Sequence, residues 1–199
     1  MSRSVCTTAK DDVSAPEAPD SDQSTTALRR LNFWTFIEAA KRRLSGEFGF
    51  THEGATEVLL TLNRASNAVT YDLETAVHRP RGISWASFRL LFVVWIAGPV
   101  EPKKAAQLAG MGKAAVSNLS KPLIGGGWLT RAPADQDGRS VRLALTEVGR
   151  EWMHGIFHEQ SEREQAWVSV LSEAEQRTLI QLLNKLIADR TDFDLRVRS

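Results

Sequence analysis

The sequence predicts a mostly helical α+β chain with one small β-hairpin. Three observations predict it. Apolar residues recur at spacings of three and four over most of the chain. Two short β-branched or aromatic runs, Trp128 to Arg131 and Val141 to Leu145, flank a turn-rich segment. Two short helical stretches separated by Gly110-Met111-Gly112 stand directly before those runs.

The chain is 199 residues long, room for a real hydrophobic core. Residues 1–25 are rich in Ser, Thr, Asp, Ala and Pro and almost free of large apolar side chains. Such a segment cannot bury enough surface to offset its ordering entropy, so it reads as a disordered tail. Residues 26–83 form an N-terminal helical region. The first helix spans about Thr26 to Phe48, with Leu31, Trp34, Ile37 and Leu44 near one face. Arg29, Arg30, Lys41, Arg42 and Arg43 lie elsewhere on it, as on an ordinary solvated helix face. The second helix runs from about Ala55 to His78. Val58, Leu62, Ala65, Val69, Leu73 and Ala76 make its stripe, and Pro80 and Gly82 end it.

Ser84 is a good N-cap for a third helix, which is apolar nearly all round and stops at Gly98-Pro99. A helix over about 102–109 follows, with Pro102 suited to its opening turn. Next come a helix over about 113–124, the two strands, and a hairpin loop over Ala132 to Ser140. Thr146 then caps a helix carrying Val148, Trp152, Ile156 and Phe157. Ser172 with Glu175 makes a capping-box signature. The last helix presents Leu179, Leu182, Leu183, Leu186 and Ile187 on one face.

The composition excludes several classes. One cysteine, Cys6, allows neither an intrachain disulfide nor a Cys-rich zinc site, and a reducing, cytoplasmic setting is expected. Asp11 and Asp12 lie near Cys6, unlike the electropositive niche of a redox thiol. The longest apolar run, Leu90 to Ala97, is far short of a membrane span, and the N-terminus lacks the apolar run of a secretory signal. No Gly-rich phosphate loop follows a strand, and no local signature joins a nucleophile to a base, so no enzyme is expected. His154 and His158 have a ligand-compatible spacing but no obvious Cys or Asp partner, so neither metal nor cofactor is expected.

The net charge of +1 argues against a simple polybasic nucleic-acid binder. Its distribution argues the other way. Residues 98–146 carry seven basic and three acidic groups, net +4, whereas residues 1–26 and 147–199 are each net −3. Localised charge can steer a polyanion even when the total is near zero.

The order helix, turn, helix, strand, loop, strand in that basic segment is a winged helix-turn-helix, assigned to residues 84–146. The second helix of the pair can enter a major groove with its N-terminal half. Lys113, Ala115, Ser117, Asn118 and Lys121 lie on it. Ser and Asn can exchange hydrogen bonds with base edges, and Lys can neutralise phosphate or reach guanine. Lys103 and Lys104 open the first helix and are either phosphate contacts or solvated. Arg139 in the hairpin loop suits an electronegative minor groove. Asp137 should orient a neighbouring Arg rather than touch DNA.

Here the chain resembles the MarR family of transcriptional regulators, over roughly residues 55–190. The residues that carry the likeness are Val116-Ser117-Asn118-Leu119, Leu123, Gly127-Trp128-Leu129-Thr130-Arg131, Asp137-Gly138-Arg139-Ser140-Val141, and Leu145-Thr146 followed by Gly149. Their joint spacing is the signal. The resemblance implies a homodimer with interlocking N- and C-terminal helices, a pseudo-palindromic double-stranded DNA operator, and usually repression. It also implies a small, often aromatic or phenolic, effector bound between the dimer region and the reading head. The stripes on 58–76 and 179–187 agree with dimerisation, which assigns residues 26–83 and 147–199 to that role.

For the effector, His78, Trp85, Arg89 and Trp95 are the candidates, with Phe88 and Phe92 beside them. Taken one at a time, the aromatics read as core. Arg89 inside an apolar helix needs a partner, either an internal acid or a ligand carboxylate. Three departures from the family pattern stand out. Gly138 replaces the first wing Arg. Asn118 stands where Arg is frequent, favouring adenine over guanine. Pro122 sits inside the second helix of the pair, where it predicts a kink or early termination. An effector-independent winged-helix DNA binder, or an interaction module that keeps the fold without DNA binding, are the alternatives.

Overall fold

In the computed structural model, the described residues are 32–49, 51–133 and 141–188. Cys6, Asp137, Gly138 and Arg139 lie outside them. The chain divides into two compact units, 1–63 and 64–199.

In the first unit, α1 spans Phe33–Phe48 and is opened by a reciprocal capping box between Asn32 and Thr35. The expected start at Thr26 lies outside the described residues. Asn32 is extended, and its side-chain oxygen accepts from the Thr35 N–H at 3.0 Å, which sets the first turn. Lys41 of α1 pairs with Glu57 at 3.0 Å.

The helix α2 spans Glu53–Leu73 and runs on into a π-helical turn, Glu74–His78, then a 3₁₀ turn, Arg79–Arg81. This corrects the uniform helix expected to His78. The i→i+5 bonding takes in one extra residue, so the buried face slips by one position. Leu73 and Val77 are buried, while Ala76, expected on the stripe, is exposed.

The rest of the second unit is α3 (Trp85–Ala97), α4 (Pro102–Leu108), α5 (Lys113–Gly125), β1 (Leu129–Pro133), β2 (Val141–Leu145), α6 (Glu147–Val168) and α7 (Glu173–Ile187). Ser84 caps α3, accepting from the Ser87 N–H at 3.1 Å. Strands β1 and β2 are antiparallel, from Leu129 opposite Leu145 to Pro133 opposite Val141. Val100 adds a bridge to Leu143, donating and accepting at 2.9 and 2.8 Å. That bridge ties the hairpin root to the start of α4.

One core joins these parts. Leu73 and Val77, Phe88, Leu90, Leu91 and Val94 of α3, Val116 and Leu123 of α5, Leu129 and Leu143 of the hairpin, and Met153 and Ile156 of α6 belong to it. Helix α3 is central, as its all-round apolar sequence predicts. In contrast, α7 has no buried residue, and Leu179, Ile180, Leu182 and Ile187 are each at least 46% exposed. Among the described residues, no helix is long and apolar enough to cross a membrane.

Candidate nucleic-acid interface and cavity

The geometry begins with two glycines. Helix α4 ends in a Schellman motif: the Gly110 N–H donates to Gln107 at 3.1 Å and the Met111 N–H to Ala106 at 2.8 Å, with Gly110 at φ 61°. Helix α5 ends the same way. The Gly127 N–H donates to Ile124 and the Trp128 N–H to Leu123, both at 3.0 Å, with Gly127 at φ 76°. A residue with a Cβ resists this left-handed backbone, so glycine is required at both reversals. The first sets the angle between α4 and α5. The second turns the chain from α5 into the hairpin.

Between these reversals, α5 sorts its side chains cleanly. Val116, Ser120 and Leu123 are buried, at i, i+4 and i+7. Lys113, Ala115, Ser117, Asn118 and Lys121 are all exposed. The expected termination at Pro122 does not occur, since the helix continues to Gly125. Pro122 and Asn118 both lie on the exposed side, where water can satisfy the Asn118 carbonyl that a proline N–H cannot. Behind the helix, the Ser120 hydroxyl donates to the Ser117 carbonyl at 3.1 Å. Arg131 of β1 donates to the same hydroxyl at 3.3 Å, so strand and helix are stapled. Lys103 and Lys104 are exposed at the start of α4, and Arg142 is exposed on β2. The sequence reading passed over Arg142; its only signal was a cation on a strand beside the hairpin loop.

The hairpin is anchored where it meets α6. The Thr146 hydroxyl donates to the Gly127 carbonyl at 2.6 Å and accepts from the Gly149 N–H at 2.9 Å. Gly149 packs against the Trp128 backbone so closely that a Cβ there would overlap the Trp128 carbonyl oxygen. The Trp128 and Trp152 rings meet at 5.1 Å.

A cavity of about 320 Å³ lies between α3 and α6, reaching the end of α4. Trp85, Phe88 and Phe92 form one wall, Phe157 stands opposite, and Arg89, Gln160 and Glu164 supply the polar groups. Arg89 donates to the Ala109 carbonyl at the end of α4. Among the described residues, no carboxylate forms an ion pair with it, so a backbone carbonyl takes the place of the internal acid that was considered.

His78 stands behind this wall, fully buried. Its ring stacks on Phe88 at 4.5 Å and Trp85 at 5.3 Å. His78 Nε2 lies 2.8 Å from Gln160 Oε1, and the Gln160 amide donates to Glu164 at 2.7 Å. Because the Gln160 oxygen can only accept, the bond requires the proton on His78 Nε2. Nδ1 is then bare, buried and without a hydrogen-bond partner. Burial holds the His78 pKa below its ordinary value, with the bond to Gln160 and nearby Glu74 and Glu164 opposing the shift.

Trp95 is not part of this wall. It faces a second cavity of about 460 Å³ with His154, Phe157 and His158. Thus Trp85 and Arg89 line the cavity between α3 and α6, His78 supports it, and Trp95 lies elsewhere. Among the described residues, no three His, Cys, Asp or Glu side chains are placed to hold a metal ion.

Two helices set by a glycine turn, followed by an anchored hairpin, define the class: a winged helix-turn-helix DNA-binding fold. Residues 83–141 match the sequence model described as the MarR family. An uncharacterized HTH-type transcriptional regulator of Bacillus subtilis, YwaE, is 26% identical over 132 residues, 66% of this chain and 77% of that protein. A mutant MarR from E. coli, complexed with operator DNA, superposes with a TM-score of 0.63 at 20% identity, covering 69% of this chain and 99% of that one. BpsR of Bordetella bronchiseptica, from work on regulation of its DNA binding by 6-hydroxynicotinic acid, gives 0.60 at 20% identity, covering 65% and 98%. Over residues 83–141 the chain is similar to the MarR family, and its fold is that of the DNA-binding winged-helix proteins it superposes on.

Proposed function

We propose that this chain is a homodimeric, sequence-specific repressor that reads a pseudo-palindromic operator with two winged helices and leaves it when a small aromatic or phenolic ligand binds. The observation that carries this reading is the split on α5. Every candidate reading residue on that helix is exposed while Val116, Ser120 and Leu123 hold it to the core. In the groove, Ser117 and Asn118 meet base edges, Asn118 favouring adenine, and Ala115 suits a thymine methyl. Lys113 and Lys121 neutralise phosphate, and Arg139 enters the minor groove. Residues 84–146 form the reading head, and residues 26–83 and 147–199 form the dimer region.

Two further observations support the reading. The apolar face of α7 is left uncovered by its own chain, as a face kept for a second copy would be. The cavity between α3 and α6 has aromatic walls and few polar groups, the make-up of a small-molecule site. Arg89 offers the coupling. It holds the Ala109 carbonyl just before the turn that sets α5, and it lines the cavity. A ligand acid that draws Arg89 away frees that turn and favours a head spacing unfit for the operator.

The test is retardation of labelled promoter fragments from beside the chain's own gene. A selective shift that weakens steeply with salt is expected, and its reversal by an aromatic acid completes the reading. No selective shift on any such fragment would overturn DNA reading. A selective shift that no aromatic or phenolic compound reverses would leave an effector-independent DNA binder.

A further inference from the structure

The start of α6 is fastened to the reversal that ends α5. Gly127, in left-handed backbone at φ 76°, sets the direction in which the chain leaves α5. Its carbonyl accepts from the Thr146 hydroxyl at 2.6 Å. The same hydroxyl accepts from the Gly149 N–H at 2.9 Å and so caps α6. The Trp128 carbonyl accepts from the Thr146 N–H at 3.1 Å, and Gly149 packs against it with no space for a Cβ. A hydroxyl has a single proton, and here it is given to Gly127.

Val116 and Leu123 hold α5 to the core, but apolar contacts are non-directional and permit small tilts. Hydrogen bonds weaken when their geometry changes, so they resist such tilts. The bond to Gly127 fixes the end of α5, as the bond between Arg131 and Ser120 fixes its middle. Asn118 lies seven residues before Gly125, about 10 Å along the axis, so a tilt of about 6° at that end moves it by about 1 Å. A shift of that size spoils a base-edge hydrogen bond. Flexible lysines on phosphate follow the shift at little cost.

We propose that Thr146 is a positioning residue for base reading: its hydroxyl, donated to the Gly127 carbonyl, fixes the tilt of α5 and so the seat of Ser117 and Asn118 on the base edges. This rests on the DNA reading proposed for α5. Serine supplies the same hydroxyl. Valine has nearly the same shape and makes neither bond. Ionised aspartate caps a helix as well as threonine does, but it only accepts, so it cannot bond the Gly127 carbonyl. The three substitutions separate positioning from capping.

The experiment measures the Kd of the full chain for the promoter fragment it selects and for a scrambled duplex of equal length and composition, at one salt concentration. The readout is the ratio of the two. Thr146→Ser is expected to keep the wild-type ratio within about twofold. Thr146→Val and Thr146→Asp are expected to lose about tenfold of it, the effect of one misplaced base contact, with the loss falling on the selected fragment. The added charge of Thr146→Asp acts on both duplexes alike and cancels in the ratio. Its Tm should stay within about 2 °C of wild type, because the cap is kept. If Thr146→Asp keeps the wild-type ratio, the hydroxyl serves only as a cap and the proposal is overturned. An equal loss on both duplexes for Thr146→Val overturns it too. Should Thr146→Val unfold, Thr146→Asp decides, and loss of the fold in both makes the hydroxyl a folding residue and sinks the proposal. A wild-type chain that selects no fragment overturns the DNA reading itself.

Discussion

Asp72 accepts from Arg163 at 2.5 and 2.7 Å and from the Trp167 ring N–H at 2.7 Å, joining the end of α2 to α6. These hydrogen bonds, Arg163 first, pull its pKa from 3.8 down to about 2. A depressed carboxylate stabilises the fold above its unfolded pKa and loses that contribution as pH falls through the folded value. Asp72→Asn should therefore lower the Tm by about 2–4 °C at neutral pH. The gap to wild type should close as pH drops from about 4 to about 2, which calorimetry across that window would record. An unchanged gap would mean that the charge contributes nothing. A second residue, Gly149, is decided by space rather than charge. Gly149→Ala forces a methyl into the Trp128 carbonyl, and about 1–3 kcal/mol of stability should be lost in denaturant melts. No motif of charge or periodicity signals that contact. The family-like spacing of Leu145-Thr146 and Gly149 was its only trace, and the cause is visible only where β1 and α6 meet.

Among the elements, α5 concentrates the DNA predictions. Lys121→Ala should weaken binding about equally on all sequences and reduce the salt slope by about one. Asn118→Ala should instead relax preference at one base pair, with a discrimination loss of about 1–3 kcal/mol. Equal effects at every operator position for both variants would contradict these roles; a mutated-operator panel measures them. The element boundaries were legible where a local side chain sets them. Ser84, Thr146 and the Ser172–Glu175 pair start their helices as read, because an N-cap acts over three residues. The π turn at Glu74–His78 was not legible. A helical stripe has the same spacing until the insertion, and the one-residue slip follows from burying Leu73, Val77 and His78 together. The early termination expected at Pro122 did not occur, for a related reason. Its cost depends on whether the orphaned carbonyl faces water, and that is a property of packing.

For the whole molecule, the uncovered apolar face of α7 is the leading feature. Leu182 is 59% exposed, so Leu182→Asp adds a charge without disturbing the packing of its own chain. If that face joins two copies, the variant should sediment as a monomer, keep its helical circular dichroism, and lose operator affinity by tenfold or more, since two heads bind together. A variant that still sediments as the wild type does would remove α7 from the interface. The net charge of +1 acquires its meaning at this scale too. The +4 of residues 98–146 is offset by acidic ends, so in the proposed dimer binding would rest on two modestly charged heads acting together.

Fold class, the starts of α3, α6 and α7, the winged pair and the exposed face of α5 were readable from the chain, because periodicity, caps and glycine turns act within a few residues. The candidate cavity was readable only in part. Trp85 and Arg89 stood out as aromatic walls and an Arg in an apolar helix. Gln160 and Glu164, 75 residues beyond Arg89 in the case of Glu164, carried no signal at all. Nothing local says that Gln160 will accept from His78, that Arg89 will hold Ala109, or that Trp95 will face a different cavity. Those facts arise where α3, α4 and α6 pack. Side chains far apart in sequence acquire partners only when burial strips away water and leaves each polar group to find another.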